Sequence, residues 1–409
     1  MKNKHSKISI IVVITMLLVG CSSAKTLSPL PTPSISRHPL PMNNMFNTGH
    51  PSSIPQFDPA NLDPFVLDFR MADLRDLDFT NNPQAIEFAD FDSKTTWPDT
   101  TKLPPDVSPQ AMMEQAKDPG LNIRKLHAEG ITGKGIGIAI IDQTLLVDHQ
   151  EYVNQLQFYY ESNETAHHLT SMHGPAVASI AVGKTIGVAP EADLYYIARD
   201  NCGVSLDIEN YDFSCLAKDV LKVVEINQSL PQDRKIRVLS MSIGWSPQNP
   251  GYDEINAAVE KAKESGIFVV SSSLTQTDGL SFSGLGRKLM ADPNDPNSYL
   301  PGNFWSIYYY TGSLDLQNKL LVPMDARTTA SPTGPSDYVY YGTGGWSWSI
   351  PYIAGMYALV CQINPDITPD VFWAAALKTG DTIKVEHDGK TFSLGVILNP
   401  EKLIAEFKR

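Results

Sequence analysis

The sequence predicts an α/β fold: a mainly parallel central sheet flanked by helices, preceded by an N-terminal extension. Three observations predict it. From about residue 119 onward, short buried-strand patterns alternate with helical ones, and such alternation implies parallel strands covered by helices. The 409 residues suit one large domain with an appendage. A composition of 42% hydrophobic and 19% charged residues is globular and excludes a disordered or collagen-like chain. With 32 basic and 45 acidic residues the net charge is −13, a poor balance for binding nucleic acid.

The first element is an address. Lys2, Lys4 and Lys7 precede an apolar run of 12 residues at 8–19. A spanning helix needs roughly 17–25 residues, so this length suits the core of a signal peptide. The run ends in Leu18-Val19-Gly20-Cys21, which resembles a bacterial lipobox. That resemblance implies a signal peptide at 1–20, its removal, and lipidation of Cys21. The expected location is the bacterial cell envelope, lipid-anchored to a membrane on its extracytoplasmic side. Removing residues 1–20 removes three lysines and no acid, so the net charge of −13 becomes −16. An anionic surface repels such a body, and the acyl chains must hold it there.

Residues 21–60 read as a lipid-anchored Pro/Ser-rich linker. Eight prolines fall within 22–60, and such a segment is expected to stay extended because it buries too little apolar surface to fold. Residues 61–118 read as an acidic N-terminal extension or prodomain, with Phe65, Leu67, Phe69, Leu74, Leu77 and Phe79 among acids and Trp97 further on. The main domain is assigned to 119–409. Within it, residues 136–141, 193–198, 236–242 and 267–271 read as strands. Residues 215–225 and 253–264 read as helices, the second closed by Gly266. Thr368 is a candidate N-cap with Pro369 at the first helical position. In parallel sheets of this kind, sites collect at the carboxyl ends of the strands.

Three segments carry chemistry-bearing residues at such places. An apolar strand, Ile136-Gly137-Ile138-Ala139-Ile140-Ile141, ends in Asp142. His173 opens the small-residue helix Gly174-Pro175-Ala176-Val177-Ala178-Ser179. Ser347, within Gly345-Trp346-Ser347-Trp348-Ser349-Ile350-Pro351, opens an apolar helix. A serine hydroxyl is a weak nucleophile and needs a base in contact. Histidine is the base that works near neutral pH. A buried aspartate fixes the imidazole tautomer and stabilises its charged form. A serine at a helix N-terminus leaves backbone N–H groups facing a developing oxyanion.

In the order Asp142, His173, Ser347, these segments resemble the subtilisin-like serine proteases, the subtilases (peptidase family S8). Supporting segments agree over roughly 119–409: Gly187-Val188-Ala189-Pro190, Met241-Ser242-Ile243-Gly244 and Gly395-Val396-Ile397-Leu398-Asn399-Pro400. The resemblance implies a subtilisin-like three-layer fold and a serine endopeptidase acting on proteins or peptides through an acyl-enzyme. It implies Asp142, His173 and Ser347 as the catalytic residues, and Ser242, Ile243 and Gly244 as the strand that binds substrate backbone. It places His149 on a non-catalytic histidine. No cofactor is required for catalysis; structural calcium is common in such proteases, but no ligand set can be placed here.

The departures carry information. Pro175-Ala176 stand where Thr-His is usual, and proline is tolerated in a first helical turn. Trp346 and Trp348 flank the nucleophile in place of Thr and Met. Thr275 falls where the family has its oxyanion Asn, so the oxyanion residues are expected to be Thr275 and the Ser347 N–H. Losing an oxyanion donor costs roughly 10²–10³ in turnover. The alternative reading is therefore a catalytically impaired pseudoprotease acting as a binding or regulatory module. A hydrolase for esters, which need less oxyanion help, is a third.

Other clusters carry less. His167, His168 and His173 lack the same-face spacing of a helical metal pair, and no metal site is assigned. Gly183-Lys184-Thr185 lacks the glycine of a P-loop, since position 178 is Ala. Cys202 and Cys215, in an exported chain, are either a disulfide or two thiols. Cys361 reads as a small buried hydrophobe.

Overall fold

A computed structural model describes residues 27–42, 49–58, 67–162, 169–200 and 211–408. The signal peptide, Cys21, His167, His168 and Cys202 lie outside the described residues. The elements begin with β1 (Ser34–Ile35), α1 (Pro83–Glu87), β2 (Asp90–Asp92), α2 (Pro109–Gln115) and α3 (Ile123–Ala128). Then come β3 (Gly137–Asp142), β4 (Leu156–Glu161), α4 (His173–Val182), β5 (Asp193–Ala198), α5 (Phe213–Ser229), β6 (Ile236–Met241), α6 (Tyr252–Glu264), β7 (Phe268–Ser271) and α7 (Leu274–Asp278). The C-terminal part holds β8 (Phe282–Arg287), β9 (Tyr299–Pro301), α8 (Asn303–Tyr310), β10 (Leu320–Pro323), β11 (Arg327–Ala330) and β12 (Tyr338–Tyr341). It ends with α9 (Trp346–Ile363), α10 (Pro369–Thr379), β13 (Asp381–His387), β14 (Lys390–Ile397) and α11 (Pro400–Phe407).

The central sheet has the order β1-β4-β5-β3-β6-β7, and every pairing in it is parallel. Buried on both faces, its strands read as continuous apolar runs, and their side chains still alternate between two cores. Ile138 and Ile140 of β3 face the core that contains α4 and α9. Ala139 and Ile141 face the one that contains α5 and α6. This is the expected α/β arrangement of a parallel sheet between helical layers. Because all strands run one way, Asp142, Ala198, Met241 and Ser271 end at one rim of the sheet.

Helix α9 is buried from Trp348 through Cys361, as an all-round apolar helix must be. It approaches the turn after α4 so closely that a Cβ on Gly355 would sit 2.6 Å from Val188 Cβ. Cys361 is a buried free thiol. Thr368 does precede α10, with Pro369 at the first position, but its hydroxyl makes no capping bond.

Both N-terminal segments, where described, pack against the main domain. Residues 27–42, read as part of an extended spacer, lie along the body. Leu27 touches Gly135, and Ser28 N–H donates to Asp233 at 2.9 Å. β1 adds a parallel edge strand beside Phe158 and Tyr159 of β4, and Arg37 pairs with Glu161 at 2.7 Å. Leu40 then bridges to Leu169. Composition argues against a self-sufficient fold, but main-chain pairing to an existing edge needs no apolar run. Residues 67–118 form a third core with Phe69, Leu74, Phe79, Ile86 and Phe91 buried. That core includes Ala326 and Tyr340, and β2 pairs with β12 in the β11-β12-β2 sheet.

Candidate active site

Asp142 is the last residue of β3, and its carboxylate is 5% exposed. The strand register fixes it: its carbonyl accepts from Arg199 N–H at 2.8 Å, and Gln143 N–H donates to its Oδ1 at 2.8 Å. The same oxygen meets His173 Nδ1 at 2.6 Å. With Asp142 accepting, the ring proton belongs on Nδ1, which leaves Nε2 as the basic nitrogen. Burial disfavours the imidazolium, but the charge of Asp142 and its hydrogen bond outweigh this and raise the His173 pKa above its usual value.

The loops that carry these two residues are tied together. Thr144 O accepts from both the Ser171 N–H and the Ser171 hydroxyl at 3.1 Å. Thr144 N–H and Oγ1 donate to Asp200 at 2.8 and 2.7 Å. Gly174 has to be glycine, because a Cβ there would lie 2.4 Å from Gln143 O and 2.5 Å from the Tyr196 hydroxyl. The strap at 27–42 reaches the same region: Leu40 O accepts from Thr170 N–H at 2.9 Å, three residues before His173.

Ser347 is the second residue of α9 and follows the extended Gly345. Its N–H lies in the first turn, where the helix offers no acceptor. Pro351 lacks the N–H that would bond the carbonyl four residues back, which is that of Ser347. The Ser242 hydroxyl donates to this carbonyl instead, at 3.1 Å. So the end of β6 meets the start of α9 directly. The Ser347 hydroxyl makes no hydrogen bond to a described residue, His173 included. The two elements meet through Trp348, whose ring lies 5.3 Å from the His173 ring and 5.0 Å from that of Tyr341. Trp346 turns the other way, 5.3 Å from both Trp305 and Phe282. Neither indole N–H finds an acceptor among the described residues.

The remaining expected residues fall as follows. Ile243 O accepts from Ser272 N–H at 3.1 Å, and a Cβ on Gly244 would sit 3.0 Å from Ser272 Cβ. Thr275 is exposed on α7, and its hydroxyl reaches Leu280 O and Ser281 Oγ, each at 3.3 Å. His149 is buried, bonds Asp337 O through Nε2 at 2.9 Å, and has its pKa lowered by burial. Cys215 is disulfide-bonded. Among the described residues, no group of three or more His, Cys, Asp or Glu side chains is placed to hold a metal ion.

One residue was not legible in the sequence. Asp325 accepts from Gly344 N–H at 2.7 Å and from Asn303 N–H at 2.8 Å. It thereby ties the start of α8 to the glycines ahead of Ser347. Burial raises its pKa to about 7 despite these two bonds. Its only signal was an acid directly after the apolar run of β10.

Comparison with known proteins bears on this geometry. Residues 133–273 match the Subtilase family, Peptidase S8. The serine protease AprX of Bacillus subtilis (strain 168) is 24% identical over 306 residues, covering 66% of this chain and 66% of that relative. The subtilisin-like protease PopC of Myxococcus xanthus (strain DK1622) is 38% identical over 80 residues, 17% of each chain. The chain thus spans just under two thirds of the first relative and a smaller part of the second. The structure of the prenylagaramide maturation protease PagA aligns with a TM-score of 0.48 at 16% identity, over 71% of this chain and 100% of that one. Over residues 133–273, the stretch that carries Asp142, His173 and Ser242, this chain is similar to the subtilases, a family of serine peptidases.

Proposed function

We propose that this protein is a membrane-anchored, extracytoplasmic serine endopeptidase. The observation that carries the reading is the 2.6 Å Asp142–His173 bond at the carboxyl rim of the sheet, with the Ser347 helix packed beside it. In the proposed reaction Ser347 Oγ bonds to the scissile carbonyl carbon while its proton passes to His173 Nε2. Asp142 holds the ring and stabilises the imidazolium. His173 then gives the proton to the leaving amine as the C–N bond breaks. Water enters by the same route in reverse and frees the acid from Ser347. The free first-turn N–H of Ser347 faces the oxyanion. Ser242, Ile243 and Gly244 would align the substrate as an added strand. The chemistry calls for no cofactor.

A second reading has its own observation. Thr275, at the place of the oxyanion Asn, already spends its hydroxyl on Leu280 and Ser281. A site short of that donor suits a pseudoprotease that retains the cleft for binding.

A fluorophosphonate probe distinguishes the two. Labelling of the protein without its signal peptide, read by intact mass and peptide mapping, is expected to give one adduct, on Ser347. The Ser347→Ala variant is expected to give none. A folded protein that stays unlabelled would retire the protease reading in favour of the binding module.

A further inference from the structure

We infer that the protein stands upright on its membrane: the amino-terminal rim of the central sheet faces the lipid surface, and the catalytic cleft opens away from it. The inference rests on lipidation of Cys21 and adds a direction to it. It comes from where the chain joins the body. Leu27 packs on Gly135, two residues before β3 begins, and Ser28 is bonded to Asp233 just before β6. This is the rim opposite Asp142 and Met241. From there the strap climbs the sheet, because β1 runs parallel to β4. It is held near the top by the Arg37–Glu161 pair and the bond from Thr170 N–H to Leu40 O.

The lengths make this restrictive. Only the five residues 22–26 separate Cys21 from Leu27, and the six residue-to-residue steps between them span at most about 20 Å when fully extended. The six residues of β3 add another ~20 Å from the lower rim to Asp142. The body cannot lie far from the lipid, nor turn its cleft toward it without peeling the strap away. In the upright orientation Asp142 stands roughly 40 Å from the anchor when the tether is extended. In this orientation the cleft is presented to polypeptide segments that project from the membrane or move freely in the compartment.

The test uses lipidated full-length mature protein in phosphatidylcholine vesicles containing a head-group energy acceptor. Donor dyes are placed on Lys134→Cys at the lower rim and, separately, on the exposed Gln276→Cys in α7, just after β7. Transfer is expected to be several-fold stronger from position 134. Inserting about 30 Gly/Ser residues between positions 26 and 27 is expected to abolish the difference, since a flexible tether of that length spans roughly 30 Å and lets the body tumble. Protein that fails to sediment with the vesicles overturns the anchoring itself. Vesicle-bound protein with equal or reversed transfer overturns the orientation alone.

Discussion

At the residue scale, the placement of three side chains was legible because each sits where an element starts or stops. Asp142 closes an apolar run, and His173 and Ser347 open helices of small or apolar residues. Asp325 was not legible, because an acid after a strand acquires meaning only through the two N–H groups that converge on it from distant segments. The Asp142–His173 pair also fixes a pH dependence. Burial works against charge on His173, and only Asp142 makes its pKa rise. The base form therefore accumulates above the ordinary histidine value of about 6.5, and activity should climb with pH on the alkaline side of it. For stability the sign is opposite: the pairing contributes fully below the unfolded pKa and is lost as pH rises through the folded one. Asp142→Asn leaves burial unopposed and favours the wrong tautomer. It should lower kcat by about 10⁴ and move the acid limb of the kcat/KM profile to lower pH. A variant whose limb stays in place would mean that Asp142 does not govern His173.

At the scale of elements, β3, β5, β6, β7 and α4 were readable from apolar runs and turn glycines, whereas β4 and the pairing of the N-terminal segments were not. β1 is two residues long, and its partner is an edge that no local pattern announces. Residues 61–118 were ambiguous because an acidic segment with scattered aromatics fits either an N-terminal extension that docks on the main domain or a prodomain. Where described, the segment is packed on the main domain. Phe69, Phe79 and Phe91 are all buried, β2 completes a sheet with β12, and Thr328 Oγ1 donates to Met113 O at 2.7 Å. Burying each ring contributes about 1.5–3 kcal/mol, so three rings together rival much of a net stability of about 5–15 kcal/mol. A chain beginning at residue 119 should therefore lack a cooperative thermal transition by calorimetry, where the chain from residue 27 shows one. An unchanged melting temperature in the shorter chain would make residues 67–118 dispensable, as a prodomain is.

At the scale of the whole molecule, composition bears on how the proposed membrane anchoring would work. The chain has a net charge of −13, and −16 once residues 1–20 and their three lysines are gone. No helix among the described residues is long and apolar enough to cross a bilayer. Electrostatics between this body and an anionic leaflet is repulsive within a Debye length. In the proposed reading, attachment rests on the acyl chains of Cys21, and its response to salt would be opposite to that of a peripheral basic protein. Salt screens a repulsion here rather than an attraction. Lipidated protein should remain on phosphatidylglycerol vesicles when the salt is raised to about 1 M, where the Debye length is about 3 Å. Cys21→Ser protein should stay in the supernatant at every salt concentration in a flotation assay. Retention of Cys21→Ser on these vesicles at low salt, with release at high salt, would reveal a local basic contact strong enough to defeat the net charge. The acyl chains would then share the anchoring with the protein surface.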